Sequence, residues 1–428
     1  MSVTAQADIS SLLKTNYRPV FIDTIYQDTM LFDILKKYNG DVRGSTINHA
    51  VELTRSHGGG GRDAGAFLPV DYPESFQQSS VSLSRWYWTI SVDGFAVDLF
   101  KQGAGSFVDY LDLRMRNAVR DATNQLNRIS HGDGTGVLAQ VNDTGAKAIG
   151  ATITLKHVNG YSFGACQFLE EGDSIAILDG TTNAVKATGR IKVAAGAGTA
   201  IDWDNQTIKL DVAYTAAVND KVVLGDAFGT SFNQEANGLR GIVKNSGTVQ
   251  GVSCDDYARW RSIIIDKTAA PVPYDWNYVT RIVSGSMYKG SSSPANLVLM
   301  LHPAMLEEHQ RLVDPDLRYQ PTDFQLNKGL EVPVFSVLGK KIPVRDSVHM
   351  GYQEILCLNT DELERLELAP MDWDDTDGAI VKNLQGKDAV YAFLKYYWAV
   401  AARSLNHFAR VDGLQVDTDY VSVIHKTM

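Results

Sequence analysis

The chain has 428 residues, a net charge of −10 at pH 7 and 44% hydrophobic side chains, with a mean hydropathy of −0.15 and a pI near 5.4. This composition is that of a globular protein, and at about 150 residues per domain the length predicts about three domains. No apolar run approaches the roughly 20 residues of a membrane-spanning helix, and the first residues have neither the basic nor the apolar part of a secretory signal. The acidic balance argues against a dedicated nucleic-acid binder, which would have a basic surface.

The first 45 or so residues are expected to form an arm. Apolar residues recur unevenly along them, and Asp28 or Thr29 is placed to cap one short helix over Leu31–Tyr38 that ends at Asn39-Gly40. Such a helix cannot bury its own apolar face, so it needs the rest of the chain or a neighbouring subunit.

A polar, glycine-dense segment, Ser56–Gly65, follows the arm and is expected to be a loop, because glycine has no side chain to pack. After it, Trp86, Trp88, Ile90 and Val92 occupy every second position, the pattern of a strand. Together these features predict a long two-stranded excursion with a glycine tip.

Residues 104–132 have the clearest helical pattern. Ser106 is placed to cap the helix, and Asp109 lies in the first turn, where the positive end of the helix dipole stabilises a carboxylate. Gly132 follows the last turn, as glycine often does at a helix C-terminus. Seven apolar residues spaced by three or four positions form one continuous face: Phe107, Leu111, Met115, Val119, Ala122, Leu126 and Ile129. We predict a structural spine that is about 36 Å long at 1.5 Å per residue.

Residues 137 to about 233 differ in character. Short β-rich runs such as Ser174–Leu178 and Lys221–Leu224 alternate with turns such as Asp179-Gly180, and no helical period is present. Strands at this spacing are typical of a small barrel or sandwich, and we interpret the segment as an inserted domain.

From about residue 255 onward, helical and strand patterns alternate, which favours an α/β or α+β lobe. Predicted helices cover Tyr257–Ile265, Tyr274–Lys289 and Met305–Leu312, the last preceded by Pro303 at the first helical position. Predicted strands cover Asn296–Leu301, Lys341–Val344, Glu354–Leu358 and one long final region, Ala389–Val411.

No motif for catalysis or ligand binding is found. The Gly58–Gly61 run lacks the Gly-Lys-Ser/Thr of a P-loop, and His131–Gly136 follows a helix instead of opening one. The acidic stretch Asp372–Asp377 has the wrong spacing for an EF-hand, which leaves a weak surface cation site as the alternative to a solvated loop. His302 and His309 form no HExxH pattern. The sequence therefore predicts no catalytic residue, no cofactor and no metal site.

Three cysteines, Cys166, Cys254 and Cys357, lie far apart and form no CxxC pair. This pattern argues against a disulfide framework and a zinc knuckle. We expect buried, unreactive thiols.

The order of the segments resembles that of the major capsid proteins of tailed bacteriophages, which have the Hong Kong 97-type shell fold. In that family a glycine-rich turn after a spine helix leads on to a Gly-Leu-x-Gly-Ile element, as Gly132–Gly136 and Gly238–Ile242 do here. Leu297–Leu312 resembles the strand and helix of the axial domain, Leu338–Val344 the LG-x-x-x-PV strand, and Ala389–Val411 the strand that returns to the peripheral domain. The resemblance covers the chain except for the β-rich segment.

The resemblance implies an α+β Hong Kong 97-like capsid fold with an inserted all-β domain. Its parts, in chain order, would be an N-terminal arm (1–48), an extended loop (49–92), the spine helix with the first part of a peripheral domain (93–136), the inserted domain (137–233), the second part of the peripheral domain (234–269), an axial domain (270–386), and the peripheral return strand with the C-terminus (387–428).

The function that the resemblance implies is structural, not enzymatic. Such subunits assemble into the hexamers and pentamers of an icosahedral head around double-stranded DNA, in the virion, after assembly in the host bacterial cytoplasm. A scaffolding protein and a portal are the implied partners, a decoration protein is left open, and no membrane is involved. The alternatives are an encapsulin-type compartment shell and a hydrolytic enzyme with a β-rich module, which would need a pocket of convergent polar groups.

Subunit contacts are expected at aromatic side chains that have no evident local core, together with an arginine of the glycine-dense segment. These residues are Tyr17, Phe21, Tyr26, Trp86, Trp88 and Arg62. Some family members join a lysine of the extended loop covalently to an asparagine of another subunit. No lysine occurs between Lys37 and Lys101, so we expect no such crosslink.

Overall fold

Strands outnumber helices in the computed structural model, which describes residues 30–38, 44–95, 110–159, 164–192, 199–289, 296–317, 334–337, 339–376 and 378–417. The α-helices are α1 (Met30–Ile34), α2 (Tyr110–His131), α3 (Leu239–Ile242), α4 (Trp276–Tyr288) and α5 (Pro303–Leu317), and a 3₁₀ turn spans Ala258–Trp260. The strands are β1 (Lys36–Lys37), β2 (Thr46–Glu52), β3 (Phe76–Ser82), β4 (Ser84–Asp93), β5 (Val137–Val141), β6 (Gly145–Lys147), β7 (Thr152–Lys156), β8 (Ser174–Leu178), β9 (Val185–Arg190), β10 (Ile201–Asp202), β11 (Thr207–Lys209), β12 (Tyr214–Ala216), β13 (Lys221–Asp226), β14 (Gly229–Thr230), β15 (Thr248–Val249), β16 (Val252–Ser253), β17 (Ile263–Asp266), β18 (Leu297–Leu301), β19 (Val334–Val337), β20 (Lys340–Asp346), β21 (Glu354–Asn359), β22 (Leu363–Trp373), β23 (Lys382–Asn383), β24 (Ala389–Ala402) and β25 (Ala409–Asp412).

The long helix α2 lies on a five-stranded sheet built around β24. Strand β4 pairs with β24 from Asp93↔Ala389 to Ser84↔Trp398, β22 and β23 also pair with β24, and β1 adds to β22 in parallel. Period-two alternation buries one face of β24 against the helix, and Ala118 of α2 packs there with Ile90 and Ala392. The predicted spine is confirmed over Tyr110–His131, and its first residues lie outside the described part of the chain.

A six-stranded sheet forms the second half of the body, in the order β17-β25-β21-β18-β20-β19. Helices α4 and α5 pack on it through Val279, Ile282 and Met305. Asp275 begins α4 by accepting the Asn277 backbone N–H at 2.9 Å, which satisfies one of the unpaired donors of a helix start. The predicted helix after Pro303 and the predicted strands at β18, β20 and β21 are confirmed.

The β-rich segment has a sheet and a core of its own. This sheet has eight strands, in the order β10-β11-β7-β5-β13-β8-β9 with β14 on β13, and β6 and β12 form a separate pair. The bridge Ile191↔Leu210 joins the ends of β9 and β11. The sheet therefore closes on itself, which favours the barrel over the sandwich. Its core residues, among them Leu138, Ile153 and Ile177, all come from within the segment.

Three local predictions are wrong. The expected helix Tyr257–Ile265 is instead a 3₁₀ turn followed by the strand β17, because the isoleucine run pairs with β25 and Trp260 is buried. The expected long final strand is two strands, β24 and β25, which lie in different sheets. The expected helix Leu31–Tyr38 is only Met30–Ile34, because Lys36–Lys37 pair with β22.

The pairing also divides the body differently from the expected segment order. Strand β22 lies in the five-stranded sheet although we grouped it with 270–386, and β17 and β25 lie in the six-stranded sheet although we grouped them with the peripheral parts. The sheet that a strand joins depends on its pairing with residues far along the chain, and the order of the segments gives no information about that pairing.

Candidate assembly surfaces

A two-stranded hairpin, β2 with β3, projects from the body between residues 46 and 82. Its strands pair antiparallel from Thr46↔Ser82 to Glu52↔Phe76. Its root is fixed to the five-stranded sheet, since Val81 is 6% exposed and packs with Leu366 and Ala399. A second anchor is the Ser80 N–H, which donates to the Gln250 carbonyl at 2.7 Å. The excursion predicted from sequence therefore exists, but β4 is not one of its strands.

Backbone pairing continues beyond the named strands toward the tip. Leu53 N–H donates to the Ser75 carbonyl at 2.9 Å, and His57 and Tyr72 exchange two backbone bonds of 2.9 and 3.3 Å. The glycine run lies beyond this point. The hairpin consequently holds its direction for some distance from the body before the glycine loop begins.

The tip exposes an apolar patch that the sequence reasoning missed. Phe67 is 96% exposed, Leu68 86%, Val70 68% and Tyr72 63%, and contiguous exposed apolar groups of this kind mark interaction sites. Arg62 is exposed at the same tip, where its guanidinium donates to the Gly61 carbonyl at 3.5 Å. The signal available in the sequence was the apolar run directly after the glycines.

Trp86 and Trp88 lie on the helix side of β4. The Trp86 indole N–H donates to Gln125 Oε1 of α2 at 3.1 Å, and Trp88 packs with Met115 of α2. Our premise that these two side chains have no local core is wrong, and their role at a subunit contact stays a prediction for their exposed edges. Tyr17, Phe21 and Tyr26 lie outside the described residues.

The opposite face of the same sheet carries two tyrosines, one exposed and one half-buried. Tyr87 is 51% exposed, and its hydroxyl lies 3.4 Å from that of Tyr397, with the rings edge to face. This hydrogen bond raises the pKa of Tyr87 above its ordinary value.

A small cleft of about 70 Å³ lies where the end of α2, the barrel and the six-stranded sheet meet. Its charged groups pair with one another. Arg128 binds Glu235 at 2.5 Å, Arg240 binds Glu354, and Asn159 Nδ2 donates to Glu354 Oε1 at 2.7 Å. The two glycine elements behind the resemblance also meet here, since Gly241 N–H donates to the Gly132 carbonyl at 3.3 Å.

The cleft contains the one strongly shifted imidazole among the described residues. Burial, and secondarily the nearby Arg240, lowers the pKa of His157 to about 3. Shifted groups in a cleft are candidates for catalysis, but here the cationic and anionic side chains neutralise each other across chain segments. The arrangement is that of a structural junction.

In the acidic loop near residue 374, the Asp374 carboxylate is paired with two lysines. Asp374 is buried and accepts from Lys382 and Lys395 at 2.5 Å each and from Thr376, and these bonds lower its pKa. Two ammonium groups thus occupy the carboxylate that a cation would need. Asp377 lies outside the described residues, within which no group of three or more potential metal ligands occurs.

The predicted buried thiols are confirmed, since Cys166, Cys254 and Cys357 are all buried and free. In the described part of the chain, no helix has both the length and the apolarity needed to cross a membrane.

The structure is similar to solved phage capsid structures over nearly its whole length. With the cyanophage A-1(L) capsid asymmetric unit, the TM-score is 0.59 at 12% identity, over 96% of this chain and 99% of the other. The chain has the fold of a bacteriophage capsid subunit.

The capsid of a native GTA particle also shares this capsid fold, with a TM-score of 0.50 at 11% identity over 96% and 98% of the two chains. With a holo-SrpI encapsulin complex from Synechococcus elongatus PCC 7942, the TM-score is 0.43 at 10% identity, over 98% of this chain and 97% of the other. No protein-family model and no curated protein matches the sequence. At these low sequence identities, the similarity to solved structures establishes the fold alone.

Proposed function

We propose that this protein is a structural major capsid subunit that assembles into hexamers and pentamers of an icosahedral phage head enclosing double-stranded DNA. The observation that carries the proposal is the capsid fold together with a hairpin that is fixed at its root and apolar at its tip. A lone subunit gains nothing from exposing Phe67 and Leu68, whereas a neighbouring copy that covers them gains apolar burial.

The parts of the subunit follow the Hong Kong 97 arrangement in this proposal. The hairpin 46–82 is the extended loop, α2 with the five-stranded sheet is the peripheral domain, the six-stranded sheet with α4 and α5 is the axial domain, and the barrel 137–233 is an insertion. The insertion is supported by its separate core. Its two ends are also adjacent, since Asn233 N–H donates to the Thr135 carbonyl at 2.9 Å.

The place where the subunit assembles and its partners follow from the same role. The subunit would assemble in the host bacterial cytoplasm on a separate scaffolding protein, around a portal, and would then remain in the virion. The shell encloses DNA without reading its sequence, which fits the net charge of −10.

Electron microscopy of the purified protein tests the proposal. Closed icosahedral shells, or rings of five and six copies, support it, and DNA within shells from infected cells distinguishes a phage head from an encapsulin-type compartment. A stable monomer at high concentration in the presence of its scaffolding protein would contradict it and would favour the enzyme alternative.

The role of the barrel has its own test. Residues 138–232 can be replaced by a short glycine-serine linker, since the two ends already lie side by side. Shells formed by this variant would make the barrel dispensable for assembly, whereas soluble, folded subunits that do not assemble would make it a brace between neighbours.

A further inference from the structure

The turn between β15 and β16 lies against the root of the hairpin formed by β2 and β3. Its two central residues, Gln250 and Gly251, both have a positive φ, +50° and +81°, and Val249 pairs with Val252 across them. Two central residues with positive φ define a type I′ turn. The turn is held firmly in the body, since Val249 and Val252 belong to the body core and the Trp260 indole N–H donates to the Val249 carbonyl at 3.1 Å.

Glutamine is an unusual residue at the first position of such a turn. That position favours asparagine, aspartate or glycine, because other residues are strained at positive φ. Four other non-glycine residues of the described chain have a positive φ, and three of them are asparagines: Asn183, Asn219 and Asn233. The strained glutamine indicates that the length of its side chain is used.

The side-chain amide of Gln250 pairs with the backbone at the end of β24. Its nitrogen donates to the Ala402 carbonyl and its oxygen accepts from the Ala402 N–H, at 2.8 Å each, and this orientation gives both groups a partner. A residue of a neighbouring antiparallel strand would exchange the same two bonds. Pairing of β4 with β24 ends at Ser84↔Trp398, so the Gln250 amide satisfies the backbone of β24 beyond that end.

Gln250 also holds the hairpin. Its carbonyl accepts from the Ser80 N–H at 2.7 Å, and its amide nitrogen donates a second bond to the Ser79 hydroxyl at 3.0 Å. Ser79 is completely buried, and a Cβ atom on Gly251 would lie in ordinary contact with Ser80, at 3.8 Å. One residue of the turn therefore bonds to both β24 and β3.

The direction of the hairpin is set near Leu83, the single residue between β3 and β4. Ser79 and Ser80 lie beyond it toward the tip, so the bonds from Gln250 oppose a tilt of the hairpin about this point. At roughly 3.3 Å per residue, the pair formed by Leu53 and Ser75 lies about 26 Å from Leu83, and a tilt of about 10° would move it by about 5 Å.

We propose that Gln250 is a positioning clamp, which fixes the angle at which the hairpin leaves the body and thereby the place where its apolar tip meets a neighbouring copy. The contact with a neighbour rests on the proposed assembly role, whereas the fixed angle is a property of the single subunit. Asparagine would satisfy the turn better, but it is one methylene shorter and would not reach Ala402.

Distances between spin labels in the free, full-length subunit test the clamp. The labels are placed on Glu74→Cys in the hairpin and Asn245→Cys in the loop before β15, which are exposed positions, while the three native cysteines are buried. Gln250→Asn should broaden or shift the distance distribution by about 5 Å, as a tilt of about 10° gives, without lowering the temperature of unfolding. Gln250→Glu keeps the full length but cannot donate to the Ala402 carbonyl, so it should have the same effect on the distances.

Gln206→Asn is the matched control. Gln206 of the barrel has a φ of +52°, and its amide likewise bonds two backbone groups, accepting from the Cys166 N–H at 3.1 Å and donating to the Trp203 carbonyl. Its substitution should leave the distances unchanged. A wild-type distribution in folded Gln250→Asn or Gln250→Glu, or an equal change in Gln206→Asn, would overturn the clamp. Shell formation by the wild-type protein decides the assembly role separately, because the distances are measured in free subunits.

Discussion

The exposed hairpin tip gives the sharpest test of assembly. We expect Phe67→Ser to weaken contacts between subunits without unfolding the subunit, because the side chain is 96% exposed in the single chain. Covering a phenylalanine side chain completely contributes about 1.5–3 kcal/mol, so its loss should weaken each contact by about 10- to 100-fold. The double variant with Leu68→Ser, which removes a side chain that is 86% exposed, should weaken it further.

Two measurements separate assembly from folding. Sedimentation through a sucrose gradient, followed by electron microscopy, measures the fraction of subunits in shells, and thermal unfolding of free subunits measures stability. A surface substitution of this kind should change the free energy of unfolding by no more than about 0.5 kcal/mol.

The matched control is Phe228→Ser. Phe228 is 83% exposed on the turn between β13 and β14 of the barrel. Its substitution therefore removes a comparably exposed aromatic ring that lies outside the hairpin. Shells of Phe67→Ser at the wild-type yield, or an equal loss in Phe228→Ser, would refute the assignment of the tip as the subunit contact.

Three further outcomes are expected. Gly136 and Gly247 both have a φ of +72°, but of these two only Gly136 would bring an added Cβ against a neighbour, the Ser231 carbonyl oxygen at 2.8 Å. In urea unfolding, Gly247→Ala should lower the free energy of unfolding by about 1 kcal/mol, and Gly136→Ala should lower it clearly more. Equal losses for the two variants would contradict the packing argument. Burial raises the pKa of the Cys166 and Cys357 thiols to about 12, so a thiol reagent at pH 8 should label them only after unfolding, and mass spectrometry that finds them labelled in native protein would contradict this. Denatured shells should give one band at the chain mass of 47.0 kDa, since the hairpin between residues 46 and 82 has no lysine. A ladder of multimers would show that covalent crosslinks form after all.

Features set by local patterns were predictable from the sequence. The periodic apolar face identified α2, the predicted helix Tyr274–Lys289 contained α4, and Pro303 marked the start of α5. The evenly spaced β runs identified the barrel. In each case the residues that decide the structure lie within one or two turns or strands of each other, so a window of the sequence contains them.

Features set by long-range pairing were not predictable in the same way. The hydrogen-bond partner of Trp86, Gln125, lies on a later helix. Strand β22 lies in the five-stranded sheet and β25 in the six-stranded sheet, whereas the segment order had predicted the opposite grouping. The cleft at the end of α2 is the extreme case, since His157 of the barrel and His349 of the body both line it and no spacing motif relates them. The wrong helix at 257–265 has the same cause, because the β-branched run Ile263–Asp266 pairs with β25, which lies far along the chain.

The body behaves as one mechanical unit, whereas the barrel does not. One continuous core joins Leu126 of α2, Met300 of β18 and Trp398 of β24, so the five-stranded and six-stranded sheets share their buried residues. The barrel core includes no residue of that set. The barrel is joined to the body by its two adjacent chain crossings and by the bonds of Gln167 to Val348 and Met350. Substitutions in the body core and in the barrel core should therefore act additively on stability, as distant sites without shared partners do. Because the hairpin root packs on the body sheet, the direction of the tip is set by the body, and the barrel core contributes no residue to that root.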